Sequence, residues 1–341
     1  CAHRERARRQ RAQAGLESSR AESSRVESSR FEEEEEDEGL AWWAAQLEGV
    51  PQCIALPATT PRPPVQATAG RHVRIHIGHQ LMARLWPLCH AAGATLNSVL
   101  LTMWSVLLLR LSGDRDVVVG VPHSMRHSAD LHEVVGMFIN TLPLRFQQSD
   151  ESVRQRIRRT QHHVGRALQH ADVALYRIVR ACGCERSAAY SPLFQTMFHV
   201  ADGEEEEAVE GTRSRSAGAV DEPTVKLDLE VELLHSRGEL EGRMIYDSAL
   251  YDESTVERWA QHFVQLVEAA TIQPDARMQE LACSQADAER ERLLWQFNAT
   301  EAADLATDLC LHDLVRAQAA RTPTRVALEW AEEQLTYAEL V

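Results

Sequence analysis

The amino-acid sequence predicts an α/β fold with two layers, in which a mixed β-sheet is covered by helices. Two segments with apolar–polar alternation, Lys226–Leu234 and Glu239–Tyr246, flank the turn Ser236-Arg-Gly238, which predicts a half-buried β-hairpin. Other segments of the same period alternate with helical patterns along the chain. The segment Leu96–Leu111 is apolar on nearly every side, so we expect a helix at the centre of the core.

The remaining elements follow from hydrophobic periodicity and from helix and turn signals. In the first hairpin strand, the alternation places Asp228, Glu230 and Glu232 on the face opposite the leucines. After the hairpin, Ser254-Thr-Val-Glu257 predicts a capping box that begins a helix. In chain order, the elements before the hairpin are a helix over Trp42–Gly49, a Pro-rich connector, a strand over Arg71–Ile77, a helix over Leu81–Ala92, the central helix after an N-cap at Thr95, a strand over Asp116–Val121, a polar loop over His123–Glu133, a strand over Phe138–Phe146, a helix over Ser152–Gln169 and a strand over Pro192–Val200.

Composition and charge exclude several classes of protein. The 341 residues are 44% hydrophobic and 26% charged, as in a soluble globular protein. The net charge of -15 argues against a nucleic-acid binder, because phosphate contacts need a basic face. Much of the acidity lies in two runs, Glu32–Glu38 and Glu204–Glu207, which are typical of solvated tails or loops.

Cysteine usage and hydropathy indicate in which cellular compartment the chain is expected. The seven cysteines are odd in number and scattered, which favours a reducing cytoplasm over a disulfide framework, and no cluster has the spacing of a metal site. The longest apolar stretch is shorter than the roughly 20 residues that a membrane span needs, so we expect no membrane segment. The chain starts at Cys1 without a signal peptide, and both ends look cut, so we expect a fragment of a longer protein.

One segment carries a specific resemblance to a known family. Val118–Phe146 reads VVGVPHSMRHSADLHEVVGMFINTLPLRF and resembles the GxFVNTLPLR region of condensation domains from non-ribosomal peptide synthetases. Further matches cover roughly residues 39–300. They are the AWWAAQLEG helix, the Leu-Pro and Pro-Arg-Pro connector, Ser191-Pro-Leu-Phe-Gln195, Leu227-Asp-Leu229 and the segment LLWQFNAT at Leu293–Thr300.

The resemblance implies a fold and a domain organisation. The fold it implies is a chloramphenicol acetyltransferase-like two-layer sandwich, of which this chain holds the C-terminal lobe over residues 39–285. Residues 1–38 are Arg-rich, then repeat Glu-Ser-Ser-Arg, then acidic, so we expect a disordered tail. Residues 286–304 are expected to be a linker. Residues 305–341 resemble the beginning of an adenylation domain, through LHDL at Leu311–Leu314 and LTYAEL at Leu335–Leu340.

The resemblance also implies where substrate passes. The candidate residues of a substrate tunnel are Gly120, Arg126, Asn140 and Thr141, and Met125 stands where the family has a glycine. Asn140 falls on the apolar face of its strand, and a buried Asn without partners costs about 1–3 kcal/mol, so we expect it to be hydrogen-bonded. It either orders the core or lines the tunnel. Pro143 removes a ladder donor and predicts an edge or crossing position for its strand.

No catalytic residue is predicted in this chain. In the family, a histidine of an HHxxxDG motif in the N-terminal lobe assists amide formation, and we expect that lobe to be missing here. His162-His163 lacks the following Asp-Gly, since Ala167 and Leu168 stand there, so we expect a solvated or helix-capping pair. The isolated chain is therefore predicted to be inactive.

The implied cofactors and partners lie on other domains. Phosphopantetheine is expected on peptidyl carrier domains of the same synthetase, and ATP only on a complete adenylation domain; no metal is expected. The other partners are the missing lobe and the rest of the adenylation domain. Two alternatives remain open: a non-catalytic scaffold or carrier-docking module, and a related CoA-dependent acyltransferase, against which the adenylation-like end argues.

Overall fold

The computed structural model describes residues 38–126, 128–131, 133–203, 224–281, 295, 298–299, 310–330 and 333–341. The chain divides into two compact units, Cys1–Ser284 and Gln285–Val341. The predicted disordered tail, the acidic run Glu204–Glu207 and the linker over 286–304 lie wholly or largely outside the described residues. The predicted domain boundaries stay predictions.

A six-stranded mixed sheet forms the centre of the first unit, with the strand order β1-β6-β5-β4-β2-β3. β4 runs parallel to β2 and β5, and the other pairs are antiparallel. β3 is an edge strand, which fits Pro143 within it. The strands are β1 (Gly70–Ile77), β2 (Asp116–Ser124), β3 (Ile139–Gln147), β4 (Thr196–Asp202), β5 (Leu229–Ser236) and β6 (Glu239–Asp247).

Helices cover this sheet and close the core. Trp104 of the central helix stacks on Phe198 of β4 at 6.4 Å between ring centroids and meets Phe263 edge-on at 6.0 Å. The prediction of a mixed sheet covered by helices, with a helix at the centre of the core, is confirmed, because that helix is buried from Ser98 to Leu108 and reaches solvent at Arg110. The helices are α1 (residues 38–46), α2 (His79–Ala92), α3 (Leu96–Ser112), α4 (Val153–Leu168), α5 (Leu175–Ala181) and α6 (Glu253–Ile272).

Local signals in the sequence fix several element ends. The Thr95 hydroxyl accepts a hydrogen bond from the Ser98 N–H at 3.2 Å and caps α3 as predicted. The predicted hairpin turn is also confirmed, because Arg237 and Gly238 have φ values of 52° and 76°. Two successive left-handed residues give the turn that matches the twist of the flanking strands.

Three predicted boundaries are wrong. β4 begins at Thr196 and not at Pro192, because Leu193 has a φ of 74° that breaks the extended backbone. α6 begins at Glu253 after Asp252, so the predicted capping box at Ser254 does not form. β5 begins at Leu229, and Asp228 just before it is fully buried, not on a solvent face. The alternation of buried and exposed side chains does not apply to Asp228, because this residue precedes the first hydrogen-bonded residue of β5.

The second unit contains a helix, a β-hairpin and a short terminal helix. These are α7 (Leu311–Arg321), β7 (Val326–Trp330), β8 (Glu333–Thr336) and α8 (Tyr337–Leu340). β7 and β8 pair antiparallel. In the described part of both units, no single helix is long and apolar enough to cross a membrane; α2 and α3, bent by 98°, pass that test only as a pair.

Candidate functional site

The predicted site segment forms two paired strands and the loop that joins them. β2 and β3 pair so that Gly120 lies opposite Pro143, and Thr141 lies opposite Pro122. Asn140 and Thr141 therefore stand at the start of β3, beside the loop, whereas Gly120 lies in the middle of β2. Arg126 lies at the start of the loop, two residues after β2. The structure thus gathers the four candidates in one strand pair and its connecting loop but places Gly120 deeper in the sheet.

Arg126 holds the loop in shape. Its guanidinium donates to the carbonyls of Leu131, Val134 and Gly136, the last two at 3.0 and 3.4 Å. It also lies 4.5 Å from the ring centroid of Phe138, as in a cation–π contact. One side chain thereby fastens both ends of the loop, which supports a positioning role for Arg126.

Asn140 ties the start of β3 to the segment that leads into α5. Its Nδ2 donates to the carbonyls of Ala171 and Val173 at 2.7 and 2.9 Å. Its Oδ1 accepts from the backbone N–H of Thr141 at 3.0 Å and of Leu175 at 3.3 Å. The prediction that Asn140 is hydrogen-bonded is confirmed, and it fixes the course of residues 171–175 against the edge strand. A role in lining a tunnel stays a prediction.

Gly120 is explained by close packing. A Cβ at this position would lie 2.5 Å from the Phe194 ring, which is closer than real contacts allow. Phe194 belongs to the Ser191–Gln195 segment that resembles the family. Gly120 and Phe194 thus fit together where β2 meets β4, and the tunnel role of Gly120, like that of half-buried Thr141, stays a prediction.

The connector after α1 is fastened by two side chains that sequence reasoning did not select. The buried Gln195 accepts from the Ile54 N–H at 2.7 Å and donates to the Gln52 carbonyl at 3.1 Å. Arg62 makes a two-pronged ion pair with Asp228, which has no exposed surface, and the hydrogen bond to Asp228 raises the pKa of Arg62. Arg62 lies in the Pro-Arg-Pro match and Asp228 in the Leu-Asp-Leu match, so these two motifs are the sequence features that could have identified the pair.

Arg145, the last residue of the NTLPLR match, joins α1 to the sheet. It contacts both carboxylate oxygens of Asp116 at 2.9 and 3.2 Å and donates to the carbonyls of Gln46 and Glu48 at 3.2 and 2.9 Å. Burial acts to raise the pKa of Asp116, but hydrogen bonds from Arg145 and Gln147 lower it overall. The pair is structural and offers no proton for catalysis at neutral pH.

The loop between β2 and β3 presents an apolar surface. Val135, Met137 and Ile139 are 101%, 90% and 61% exposed, respectively. Three neighbouring apolar side chains left in solvent are typical of a surface that another polypeptide covers.

His162 and His163 differ in environment. His162 is exposed, as predicted. For His163 the prediction of a solvated or capping residue is wrong, because it packs edge-on against Phe146 at 6.0 Å, and its Nε2 is buried with no hydrogen-bond partner in the described chain. Burial, and then the positive charges of Arg159, His162 and Arg156, lower the pKa of His163 to about 4.

Two surface clusters in the described part of the chain have side chains suited to a metal. In each cluster the ligand atoms lie within 4.8 Å of one another; the members are His76, Glu239 and Glu241 in the first unit and Cys310, His312 and Asp313 in the second. None of these residues is buried, and exposed acidic groups commonly approach one another without an ion. Neither cluster assigns a metal site.

The sheet, its covering helices and the fastened β2–β3 loop define a chloramphenicol acetyltransferase-like fold of the condensation type. A family model described as "Condensation domain" matches residues 21–294. The chain belongs to the condensation-domain family. The match includes part of the low-complexity segment before residue 38.

Similar proteins are large peptide synthases. The chain is 32% identical over 309 residues to tyrocidine synthase 3 of Brevibacillus parabrevis, a match that covers 90% of this chain and 5% of that protein. It is 31% identical over 301 residues to surfactin synthase subunit 1 of Bacillus subtilis (strain 168), covering 88% and 8%. The chain therefore spans less than a tenth of the length of these relatives.

Solved structures share the fold. The X-domain from teicoplanin biosynthesis superposes with a TM-score of 0.66 at 24% identity, covering 72% of this chain and 57% of that one. A four-domain nonribosomal peptide synthetase bound to AMP and glycine gives a TM-score of 0.66 at 23% identity, covering 89% and 24%. These likenesses establish the fold alone.

Proposed function

We propose that the chain is the C-terminal lobe of a condensation domain in a non-ribosomal peptide synthetase, where amide bonds form between carrier-bound thioesters. In this reaction the acceptor amine attacks the donor thioester carbonyl, so that a C–N bond forms and a thiol leaves. The family match over most of the chain and the similarity to peptide synthases support the proposal.

The chain's own contribution is to position substrate. The observation that carries this step is the fastened strand pair, in which Asn140 and Arg126 hold the loop and residues 171–175 in fixed places. A rigid wall helps catalysis because orientation of two reactants lowers the entropic part of the barrier. Asn140, Thr141 and Arg126 would form that wall, with Gly120 behind it. No described residue of this chain is given the role of acid or base.

The partners of this proposal are other parts of a synthetase. Peptidyl carrier domains would bring phosphopantetheine-linked substrates, and an N-terminal lobe would cover the exposed Val135, Met137 and Ile139. The second unit would begin an adenylation domain, which is supported by the LHDL and LTYAEL matches and binds ATP only when complete. A synthetase of this kind would act in the cytoplasm.

Reconstitution tests the proposed function. The purified chain is mixed with two loaded carrier domains, alone and as a fusion behind an N-terminal lobe that carries the HHxxxDG motif, and dipeptide is measured by mass spectrometry. We expect product from the fusion only. Product from the chain alone contradicts the proposal, and a folded fusion that forms none favours the carrier-docking alternative.

A matched pair of variants tests the wall. In the active fusion, Asn140→Ala should lower turnover at least tenfold, because the amide that orders residues 171–175 is lost. Gln148→Ala, whose side chain is exposed just after β3, should leave turnover unchanged. Equal turnover in the two variants removes Asn140 from the positioning role.

A further inference from the structure

A cavity of about 440 Å³ lies among α1, the end of β3 and α4, with a strongly basic lining. Its walls carry Arg145, Arg156, Arg159, Arg166, His162 and His163. None of the lining residues in the described chain is acidic. The cavity lies apart from the residues proposed as the tunnel wall, because it is lined by the end of β3, whereas Asn140 and Thr141 stand at the start of that strand.

Three of the arginines lie on one stripe of α4 together with His163. Arg156, Arg159, His163 and Arg166 are spaced by three, four and three residues, which places them on one face of the helix. Arg156 and Arg159 are like charges three residues apart, a spacing that destabilises a helix. Concentrating these side chains around one cavity does not stabilise the fold, so the stripe is better explained by a ligand.

Carboxylates of the protein neutralise only part of the lining. Arg145 is paired with Asp116, and Arg159 lies 3.3 Å from Glu151. The nearest carboxylate oxygen to Arg156 belongs to the same Glu151 at 3.8 Å, beyond hydrogen-bond distance. The four guanidinium groups of the cavity therefore share two carboxylates within the described residues.

Arg156 is the group that points to a ligand. The residue is 3% exposed, and its Nη1 donates to the Ser149 hydroxyl at 2.8 Å. Its Nη2 is buried and has no hydrogen-bond partner among the described residues. Burial, and then Arg159, lower its pKa to about 10 against the opposing effect of Glu151, so Arg156 remains charged at neutral pH. A buried charged donor without a partner is costly unless something accepts from it.

His163 adds a second unpartnered group in the same wall. Its Nε2 is also buried, and the low pKa keeps the ring neutral at pH 7. A neutral imidazole with its proton on Nε2 donates one hydrogen bond without adding charge. Arg156 and His163 therefore place two buried donors without partners in the wall of the cavity, and the exposed guanidinium groups of Arg159 and Arg166 beside them are the donors that an anion in the cavity would meet first.

We propose that this cavity binds a phosphate-type anion, either inorganic pyrophosphate or the phosphate group of a small ester. Guanidinium forks match the oxygens of phosphate groups, and several cations around one space favour a multiply charged anion. The volume exceeds that of ten water molecules at about 30 Å³ each, so it holds more than a single phosphate group. Both ligands would be recognised through their phosphate oxygens, and titration with each of them distinguishes the free anion from the ester.

Isothermal titration calorimetry of the full chain with pyrophosphate, glycerol 3-phosphate and citrate tests the proposal. We expect pyrophosphate or glycerol 3-phosphate to bind with a Kd below about 1 mM, and citrate to bind at least tenfold more weakly. Tighter binding of pyrophosphate identifies a free anion as the ligand class, and tighter binding of glycerol 3-phosphate identifies an ester. Equal or tighter binding of citrate overturns the assignment to phosphate, as does the absence of heat from both phosphate probes.

Variants on α4 locate the site. Arg159→Gln, at an exposed position in the wall, should weaken binding roughly tenfold through loss of a charge-assisted hydrogen bond. Arg166→Gln gives a second test with little risk to folding, since Arg166 is exposed. Arg158→Gln is the matched control, because Arg158 lies on the same helix but donates to the Ala91 carbonyl outside the cavity. An equal loss in Arg158→Gln, or no loss in Arg159→Gln and Arg166→Gln, overturns the proposal.

Discussion

Two arginines that are largely removed from solvent illustrate two different uses of charge in this molecule. Arg62 meets both carboxylate oxygens of the fully buried Asp228 and also donates to the Ala189 carbonyl. Arg156 has a serine hydroxyl on one nitrogen, a carboxylate at 3.8 Å and nothing on the other nitrogen within the described chain. The first site is closed by the protein itself, whereas the second is left open.

The difference separates structural motifs from binding surfaces. Arg62, Asp228, Asn140 and Arg145 all belong to segments that resemble the family, and each is satisfied by protein groups. The stripe on α4 belongs to no motif. In this chain the recognisable sequence therefore reports how the fold is held together, and the unsatisfied charge lies elsewhere.

Breaking the closed site should have the largest effect. Arg62→Met leaves the Asp228 carboxylate buried without a partner, which typically costs about 3–5 kcal/mol in the free energy of unfolding. Urea denaturation followed by circular dichroism measures this change. The control is Arg243→Met, which removes a surface pair with Glu232 and should cost less than about 1 kcal/mol. A similar cost for both variants means that the Arg62 pair does not close the site.

The pH dependence of stability should report on His163, whose Nε2 is buried in the wall of the open site. The pKa of His163 is about 4 in the folded chain and near its ordinary 6.5 in the unfolded chain. Between these values the unfolded state binds the extra proton, so the free energy of unfolding falls as pH drops from 6.5 towards 4, by up to about 3 kcal/mol. His163→Phe should remove this part of the dependence, whereas the exposed His162→Gln should keep it. Parallel pH profiles of stability for wild type and His163→Phe would contradict the assignment of this pH dependence to His163.

Removing the open arginine should have the smallest effect. Arg156→Met replaces an incompletely paired buried charge by an apolar side chain of similar length, and such changes are often neutral or stabilising. The loss of the Ser149 hydrogen bond costs about 1 kcal/mol, so the net change should stay within about 1 kcal/mol. The same urea experiment measures it. A loss as large as that of Arg62→Met means that Arg156 serves the fold and not a ligand.

Sequence patterns predicted the parts of the fold that local chemistry decides. The Thr95 cap, the turn at Arg237 and Gly238 and the central helix follow from residue type and period. Asn140 was predicted to be hydrogen-bonded because an amide on an apolar face needs partners, but its partners at residues 171–175 were not predictable, since they lie on another segment.

The errors arise where tertiary contacts override local patterns. Asp228 alternates like a solvent-facing residue, yet Arg62 from 166 positions earlier in the chain buries it. Leu193 adopts a left-handed backbone that no apolar pattern signals. The open site on α4 also escaped prediction, because the arginines of this helix surround a cavity only after α1 and the end of β3 pack beside them.

The central claim is that the closed arginine serves the fold and the open stripe serves a phosphate-type ligand. Thermal unfolding with and without pyrophosphate tests it most directly, using Arg62→Lys and Arg159→Gln beside wild type. We predict that Arg62→Lys lowers the Tm but keeps the rise that pyrophosphate produces, because binding to the folded state alone stabilises it. Arg159→Gln should keep the Tm of the free protein and reduce that rise, because its binding is about tenfold weaker. A rise of wild-type size in Arg159→Gln, or the disappearance of the rise in Arg62→Lys, would contradict the account.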